Sequence, residues 1–402
     1  MDVRDFDFDL PPDLIAQEPP PDRGAARLLF LDRARGSLVH TCITALPDLL
    51  RAGDLLVVNN TRVFPARLLG RRVPSGGAVE CLLIRSLADA DPVDLRSRAG
   101  ADQVNVRSRA GADQVDVRSR AGADQVDVRS RAGADQVDVR SRSDALWEAL
   151  VHPGQKLKPG ARVVFEGIHT LHGEILERRF FGRRLVRLWT EDGATVDAAV
   201  DAVGHIPLPP YIKRDDRADD RDRYQTVFAQ ARGSIAAPTA GLHFTPSLLA
   251  ALTGRGVETT AITLHVGFGT FQPVRVDRVE DHRLESERYE ISAAAAAAIT
   301  RARAGHRRII AVGTTTTRTL EAVALAHDGE IGAGHGATDL FIYPGFTFRV
   351  VNGLLTNFHL PRSSLLMLVS AFAGRDLVRA AYDTAIAERY RFYSYGDAML
   401  IL

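Results

Sequence analysis

Hydrophobic and polar positions alternate through residues 259–274, "TTAITLHVGFGTFQPV", which predicts a β-strand. Its period of two sends Ile262, Leu264 and Val266 to one face, and Thr263, His265 and Gly267 to the other. A different texture marks "RRIIAVGTTTTRTLEAVALA" (307–326), read as a buried strand, a glycine turn and a helix opened by threonines. Thr245-Pro246-Ser247 reads as the N-cap and first turn of another helix, with Gly254 or Gly256 as its stop. "TDLFIYPGFTFRVVNGLLTNFHLPRSSLLMLVSAFAG" (338–374) places Asn357, Phe358 and His359 between an apolar strand and a proline-started helix. That is a usual position for site residues in α/β proteins.

Between residues 66 and 200 the pattern is short strands punctuated by glycine and proline, as in "AVECLLIRSL" (78–87), "LWEALVHPGQKLKPGARVVFEG" (146–167) and "HTLHGEILERRFFGRRLVRLWT" (169–190). This predicts a small, barrel-like all-β domain. Within it "RSRAGADQVNV" is followed by three copies of "RSRAGADQVDV", an eleven-residue period that runs from Arg96 to Val139. Each unit holds two valines and two alanines and is broken by glycine, which argues against a coiled coil. The array, 96–142, reads as an insertion in the connection between two strands, where length costs little.

Composition changes this picture modestly. The chain has 402 residues, 45% of them hydrophobic, and a formal charge of +1, enough for a sizeable core in two domains. Near-neutrality selects no class of partner. Two cysteines, Cys42 and Cys81, stand far apart without CxxC spacing, so neither a thiolate metal site nor a disulfide framework is indicated. With an acidic, proline-rich beginning and no apolar run of about 18 residues, the expectation is a cytoplasmic protein without a membrane span.

Candidate chemistry gathers in the second half. "GSIAAPTAGLHFT" (233–245) surrounds His243 with small residues. Either the backbone approaches a ligand there, with Ser234 and Thr239 supplying hydroxyls and Gly241 supplying room, or the segment packs tightly and His243 is a satisfied core histidine. Gly267 and Gly269 in "GFGTF" resemble a phosphate-binding loop weakly and equally suit a strand end. Thr314, Thr315 and Thr316 open a helix whose N–H groups suit a carboxylate or ribose hydroxyls, though threonine caps are also routine. "DHRLESERYEIS" (281–292) is rich in Asp, Glu and His but lacks metal-ligand spacing. The "RRFFGRRLVRL" strand edge suits either nucleic acid or solvent.

Taken together, "LIAQEP", "LLVVNNTRVFPARL", "GHIPLPPYI", "RYQTVFA", "GSIAAPTAGLHFT", "TLHVGFGTFQPV", "AVGTTTTRTLE", "TNFHLPRSSLLMLVSAFAG" and "YRFYSYGDAMLI" resemble the S-adenosylmethionine:tRNA ribosyltransferase-isomerase family of queuosine biosynthesis. The likeness runs in order along the chain, apart from about 88–143. It implies an α/β main domain (1–65 and 202–402) with an inserted β-barrel domain (66–201) whose hairpin loop carries the repeat. It also implies transfer and isomerisation of the ribosyl part of S-adenosylmethionine onto 7-aminomethyl-7-deazaguanine at the tRNA wobble position, giving epoxyqueuosine, adenine and methionine. S-adenosylmethionine is then a co-substrate, and acid–base steps need no metal.

Under that resemblance His243 and His265 are the expected catalytic residues, because histidine titrates near neutrality, with His359 and Asp281 in reserve. Ser234, Thr239, Gly241, Gly267, Gly269, Thr314, Thr315, Thr316, Asn357 and His359 are the expected substrate-binding residues. Arg178, Arg179, Arg183, Arg184, Lys213 and Arg214 are the expected tRNA phosphate contacts. A monomer is expected. The alternatives are a non-catalytic tRNA-binding relative and a hydrolase of adenosyl compounds.

Overall fold

The structure, a computed structural model, describes residues 1–87, 144–271 and 274–402. The eleven-residue repeat lies outside the described residues. Seventeen strands are described. The first four are β1 (Arg27–Asp32), β2 (Ser37–Cys42), β3 (Leu55–Asn59) and β4 (Thr61–Val63). Six follow as β5 (Arg67–Val73), β6 (Ala78–Ser86), β7 (Asp144–His152), β8 (Arg162–Phe165), β9 (Leu171–Arg178) and β10 (Arg183–Thr190). The last seven are β11 (Ala231–Ser234), β12 (Glu258–Leu264), β13 (Glu287–Ile291), β14 (Ile309–Val312), β15 (Gly334–Thr338), β16 (Gly353–Asn357) and β17 (Ala398–Ile401).

Nine of these form one mixed sheet in the order β15-β13-β12-β3-β14-β16-β17-β1-β2. Its centre, β12 through β16, is parallel. Every residue of β3, β14 and β16 is buried, as expected of parallel strands covered on both faces. Alternation divides them between two cores. Leu55, Val57, Ile309, Ala311 and Leu354 face the helices 293–304, 314–326 and 364–373. Leu56, Val58, Ile310, Val312 and Leu355 face the helix 246–254. That helix starts as its sequence predicts, with Thr245 accepting from the Leu248 amide and Pro246 in the first turn.

The second body is a closed antiparallel barrel, β10-β7-β6-β5-β8-β9. Inward residues such as Leu68, Val163, Phe165, Ile175, Val186 and Leu188 fill it. The helix 196–203 closes it with Ala199 and Val200. The architecture is therefore a six-stranded barrel joined to a mixed sheet flanked by helices. Strands β6 and β7, between which the repeat falls in sequence, pair antiparallel. A parallel two-stranded ribbon, β4 with β11, lies outside both bodies.

Candidate functional site at the carboxyl ends of the parallel strands

Because β12, β3, β14 and β16 run parallel, their carboxyl ends share one edge of the sheet, where ligands of open α/β sheets bind. Asn59, at the end of β3, fixes the neighbouring end of β12. Its Nδ2 donates to the Leu264 carbonyl at 2.9 Å, and its Oδ1 accepts from the Leu264 amide at 3.1 Å and the Thr61 amide at 3.0 Å. The next residue is His265, so this clamp sets where its ring begins.

The ring is then held by side chains of the ribbon. His265 Nδ1 lies 2.9 Å from Thr61 Oγ1, and Thr61 donates its own proton to Ser234 Oγ at 2.9 Å. Ser234 Oγ also accepts from the Val266 amide at 2.7 Å. A threonine hydroxyl has one proton, so His265 must be the donor to Thr61. That assigns a proton to Nδ1, which in the neutral ring leaves the lone pair on Nε2. Gly233 explains the small residue beside it: at φ +149° a Cβ would sit 2.7 Å from the His265 ring.

Beside this network lies a cavity of about 360 Å³. Ala236, Thr239, Gly313, Thr314, Asn357 and His359 contribute to its wall, and Tyr211 and Tyr393 stack at 4.3 Å on another side. Gly313, at φ +90°, precedes the helix 314–326, and among the described residues no side chain caps that helix start. Its first N–H groups therefore lack intrahelical partners and carry the positive end of the helix dipole. Among the described residues, three buried side-chain atoms of the cavity wall also have no partner: Thr315 Oγ1, Asn357 Oδ1 and the Tyr393 hydroxyl. Tyr393 in addition holds φ at +74°, a conformation that tyrosine rarely adopts.

The orientation of Asn357 follows from its neighbours. Its Nδ2 donates to the Tyr393 carbonyl at 3.0 Å, a group that can only accept, so the amide cannot be reversed. The same Nδ2 donates to His243 Nε2 at 3.1 Å, which makes His243 a neutral acceptor there. Burial, reinforced by the Arg23 guanidinium, pushes the His243 pKa down to about 4. His243 thus does not titrate near neutrality, against the sequence expectation. It stands behind Asn357 and turns the Asn357 carbonyl oxygen out as an acceptor. His359, 2.8 Å from Thr356 Oγ1 through Nε2, is pushed by burial to about 3.

The predicted residues divide accordingly. Thr239, Thr314, Thr315, Asn357 and His359 line the cavity, while Ser234 and His265 form the adjoining network. Thr316 turns inward, its hydroxyl donating to the Val312 carbonyl at 2.8 Å. Gly241 packs against Thr226, where a Cβ would come within 2.9 Å. The Gly267 amide donates to Glu287, and Gly269 lies against Glu285. Asp281 is exposed in the short turn Val279–Asp281. Sequence reasoning missed Thr61 and Tyr393. Both stood in quoted motifs, "LLVVNNTRVFPARL" and "YRFYSYGDAMLI", but neither motif tells which side chain faces a ligand.

The basic residues divide as sharply. Arg184 is buried, and its guanidinium donates to the carbonyls of Leu157, Gly182, Arg183 and Gly154. Arg183 pairs with Glu148 and Glu285. Arg214 grips the buried Asp220 at 2.7 and 2.9 Å. Those three arginines serve internal partners and are poorly placed for phosphates. Arg179 lies 3.6 Å from Glu177, whereas Arg178 and Lys213 are exposed. Among the described residues no group of three or more His, Cys, Asp or Glu is arranged to hold a metal ion, and no helix is long and apolar enough to cross a membrane.

Comparison with known proteins places this geometry in context. A family model described as "Queuosine biosynthesis protein" matches residues 3–401. The S-adenosylmethionine:tRNA ribosyltransferase-isomerases of Heliobacterium modesticaldum and Desulfitobacterium hafniense are each 45% identical over 402 residues, covering 100% of both chains. The crystal structure of S-adenosylmethionine tRNA ribosyltransferase from Thermotoga maritima is 33% identical, covers 99% of this chain and 100% of that one, and aligns at a TM-score of 0.48. With a match over almost its whole length, the chain belongs to the queuosine biosynthesis protein family.

Proposed function

We infer that the protein is an S-adenosylmethionine-dependent tRNA ribosyltransferase-isomerase, and that the cavity at the strand ends holds the ribosyl donor. Family membership supports the reaction. The observation that carries the site is the meeting of an uncapped helix start, three unpartnered buried polar atoms and the His265 network around one cavity. The helix start, with Thr314 and Thr315, suits the methionine carboxylate. Asn357 Oδ1 suits a donor, such as a ribose hydroxyl or the adenine amino group.

The chemistry follows from the substrate. The sulfonium acidifies the C5′ hydrogens, and His265 Nε2 takes one of them, giving an ylide. Adenine leaves with a proton, and the aminomethyl nitrogen of 7-aminomethyl-7-deazaguanine in tRNA attacks the five-carbon unit, losing a proton. The ylide carbon C5′ then bonds to C1′ as the C1′–O4′ bond breaks, which closes the cyclopentane ring, and O4′ attacks C5′ to form the epoxide and expel methionine through its sulfur. Overall one proton is released and no electrons are gained or lost. His243 is a positioning residue in this scheme, acting through Asn357. The proposal includes a monomer acting in the cytoplasm, with Arg178 and Lys213 as its phosphate contacts.

The test is to incubate the protein with S-adenosylmethionine and tRNA carrying the aminomethyl base, digest the tRNA and weigh the nucleosides against a control without tRNA. Epoxyqueuosine with adenine release that depends on tRNA is the expected result. Adenine released without tRNA would instead identify a hydrolase, and binding without product a non-catalytic relative.

A further inference from the structure

A second cavity, of about 490 Å³, lies where the barrel meets the main sheet. Both cavities are within the ~300–1,000 Å³ range of small-molecule sites. The two adjoin. Pro210 contributes to both walls, and successive residues of one segment serve opposite sides, Ile235 lining the second cavity and Ala236 the first. The same segment begins at Ser234, which holds the His265 network.

The lining of the second cavity is unlike that of the first. Pro207 to Pro210 and Phe268 give it flat, rigid apolar surfaces. At its barrel side Arg67 holds the carboxylate of Glu80, Nε to Oε1 at 2.8 Å and Nη2 to Oε2 at 3.4 Å. Glu80 remains 42% exposed, and each carboxylate oxygen has a second lone pair to offer. A fixed acceptor beside a slot for a planar ring suits the N1–H and 2-amino donors of a guanine-type base. Adenine would turn an acceptor, its N1, toward the same carboxylate. Lys213 lines the opening, where the phosphates of a nucleotide would pass.

We propose that this second cavity is the acceptor-base pocket, which takes a guanine-type base extruded from its RNA stack and reads its donor edge through Glu80. The proposal rests on the ribosyltransferase reading of the first cavity. It explains why two pockets share one wall beside His265: donor and acceptor must meet without either leaving its own site. Extruding a base for chemistry is the usual solution when the reacting atom lies inside a nucleic-acid structure.

The experiment uses the full chain and three anticodon stem-loop RNAs, identical except for 7-aminomethyl-7-deazaguanosine, guanosine or adenosine at the wobble position. The wild-type protein is expected to bind the two guanine-type loops about 5- to 150-fold more tightly than the adenosine loop, the range typical of a good two-point base contact. In Glu80→Gln the amide oxygen stays on Arg67 and the amino group faces the base. That variant should lose most of the preference and raise KM for the RNA, with S-adenosylmethionine binding unchanged by calorimetry. Phe268→Leu should weaken all three loops alike. If the wild-type protein transfers and discriminates while Glu80→Gln keeps the full preference, the base pocket is refuted and the ribosyltransferase reading stands. If the wild-type protein binds neither S-adenosylmethionine nor RNA, both fall together.

Discussion

Thr315, Asn357 and Tyr393 in the cavity wall are 7%, 2% and 6% exposed, and Arg184 on the barrel is 7% exposed. In the first three a buried oxygen is left without a partner, whereas the Arg184 guanidinium reaches four carbonyl oxygens. Leaving such a group unpaired costs about 1–3 kcal/mol, so three on one cavity wall are a substantial expense. A folded chain tolerates that where a ligand completes the bonds, and completes the bonds itself where the group is scaffold. Burial is the same in both regions. What separates this cavity wall from the Arg184 site is whether the polar atoms have already found partners.

The largest expected effect lies at the cavity. His265→Gln keeps a hydrogen-bonding side chain beside Thr61 but removes the base, and should lower kcat by about 10²- to 10⁴-fold. The Tm should hardly move, since the ring is only half-buried. Exchange of the C5′ hydrogens of S-adenosylmethionine with D2O, followed by NMR, should be lost with it. Retained exchange would place the base elsewhere.

Next comes the pH dependence of folding, which tests the two histidines that sit neutral near the cavity. His243 and His359 have folded pKa values of about 4 and about 3, below the ordinary 6.5. From pH 6.5 downward the unfolded chain binds protons that the folded chain refuses, so stability falls with pH and is greatest above 6.5. At about 1.4 kcal/mol per pK unit, His243 alone accounts for about 3 kcal/mol once the pH has passed through 4. Urea midpoints between pH 7 and pH 5 should fall for the wild type and fall less steeply for His359→Gln. Equal slopes would contradict the buried neutral state.

How much of this could be read in the chain depends on the range of the interaction. Alternation in 259–266 placed Ile262 and Leu264 in the core and His265 among polar neighbours, and Thr245-Pro246 marked a real helix start. The same rule was available for Arg184. It precedes Val186 and Leu188 at spacing two, and all three face into the barrel. Reading "RRFFGRRLVRL" as a basic edge overlooked that period. Other features had no local signal. Thr61 meets Ser234 across 173 positions of sequence, and the outward carbonyl of Asn357 is fixed by the backbone of Tyr393, 36 residues away. The Tyr393 conformation is likewise set by its surroundings and not by its residue type.

The barrel side should respond in the opposite sense to the cavity. Arg184→Met fills similar space but leaves up to four carbonyls without this donor, and should cost about 1–3 kcal/mol of stability in a denaturant titration. Its effect on tRNA binding, measured on the folded fraction, should be negligible. Arg178→Ala and Lys213→Ala, at exposed positions, should reverse that pattern. Each should leave the Tm in place, weaken tRNA binding a few-fold, and reduce the slope of log K against log salt by about 1. This effect is the smallest, yet it separates charge that meets the ligand from charge spent on the fold. A flattened salt slope in Arg184→Met, with none in the two exposed variants, would mean that the barrel edge opens to RNA and that its internal bonds are exchanged for phosphates.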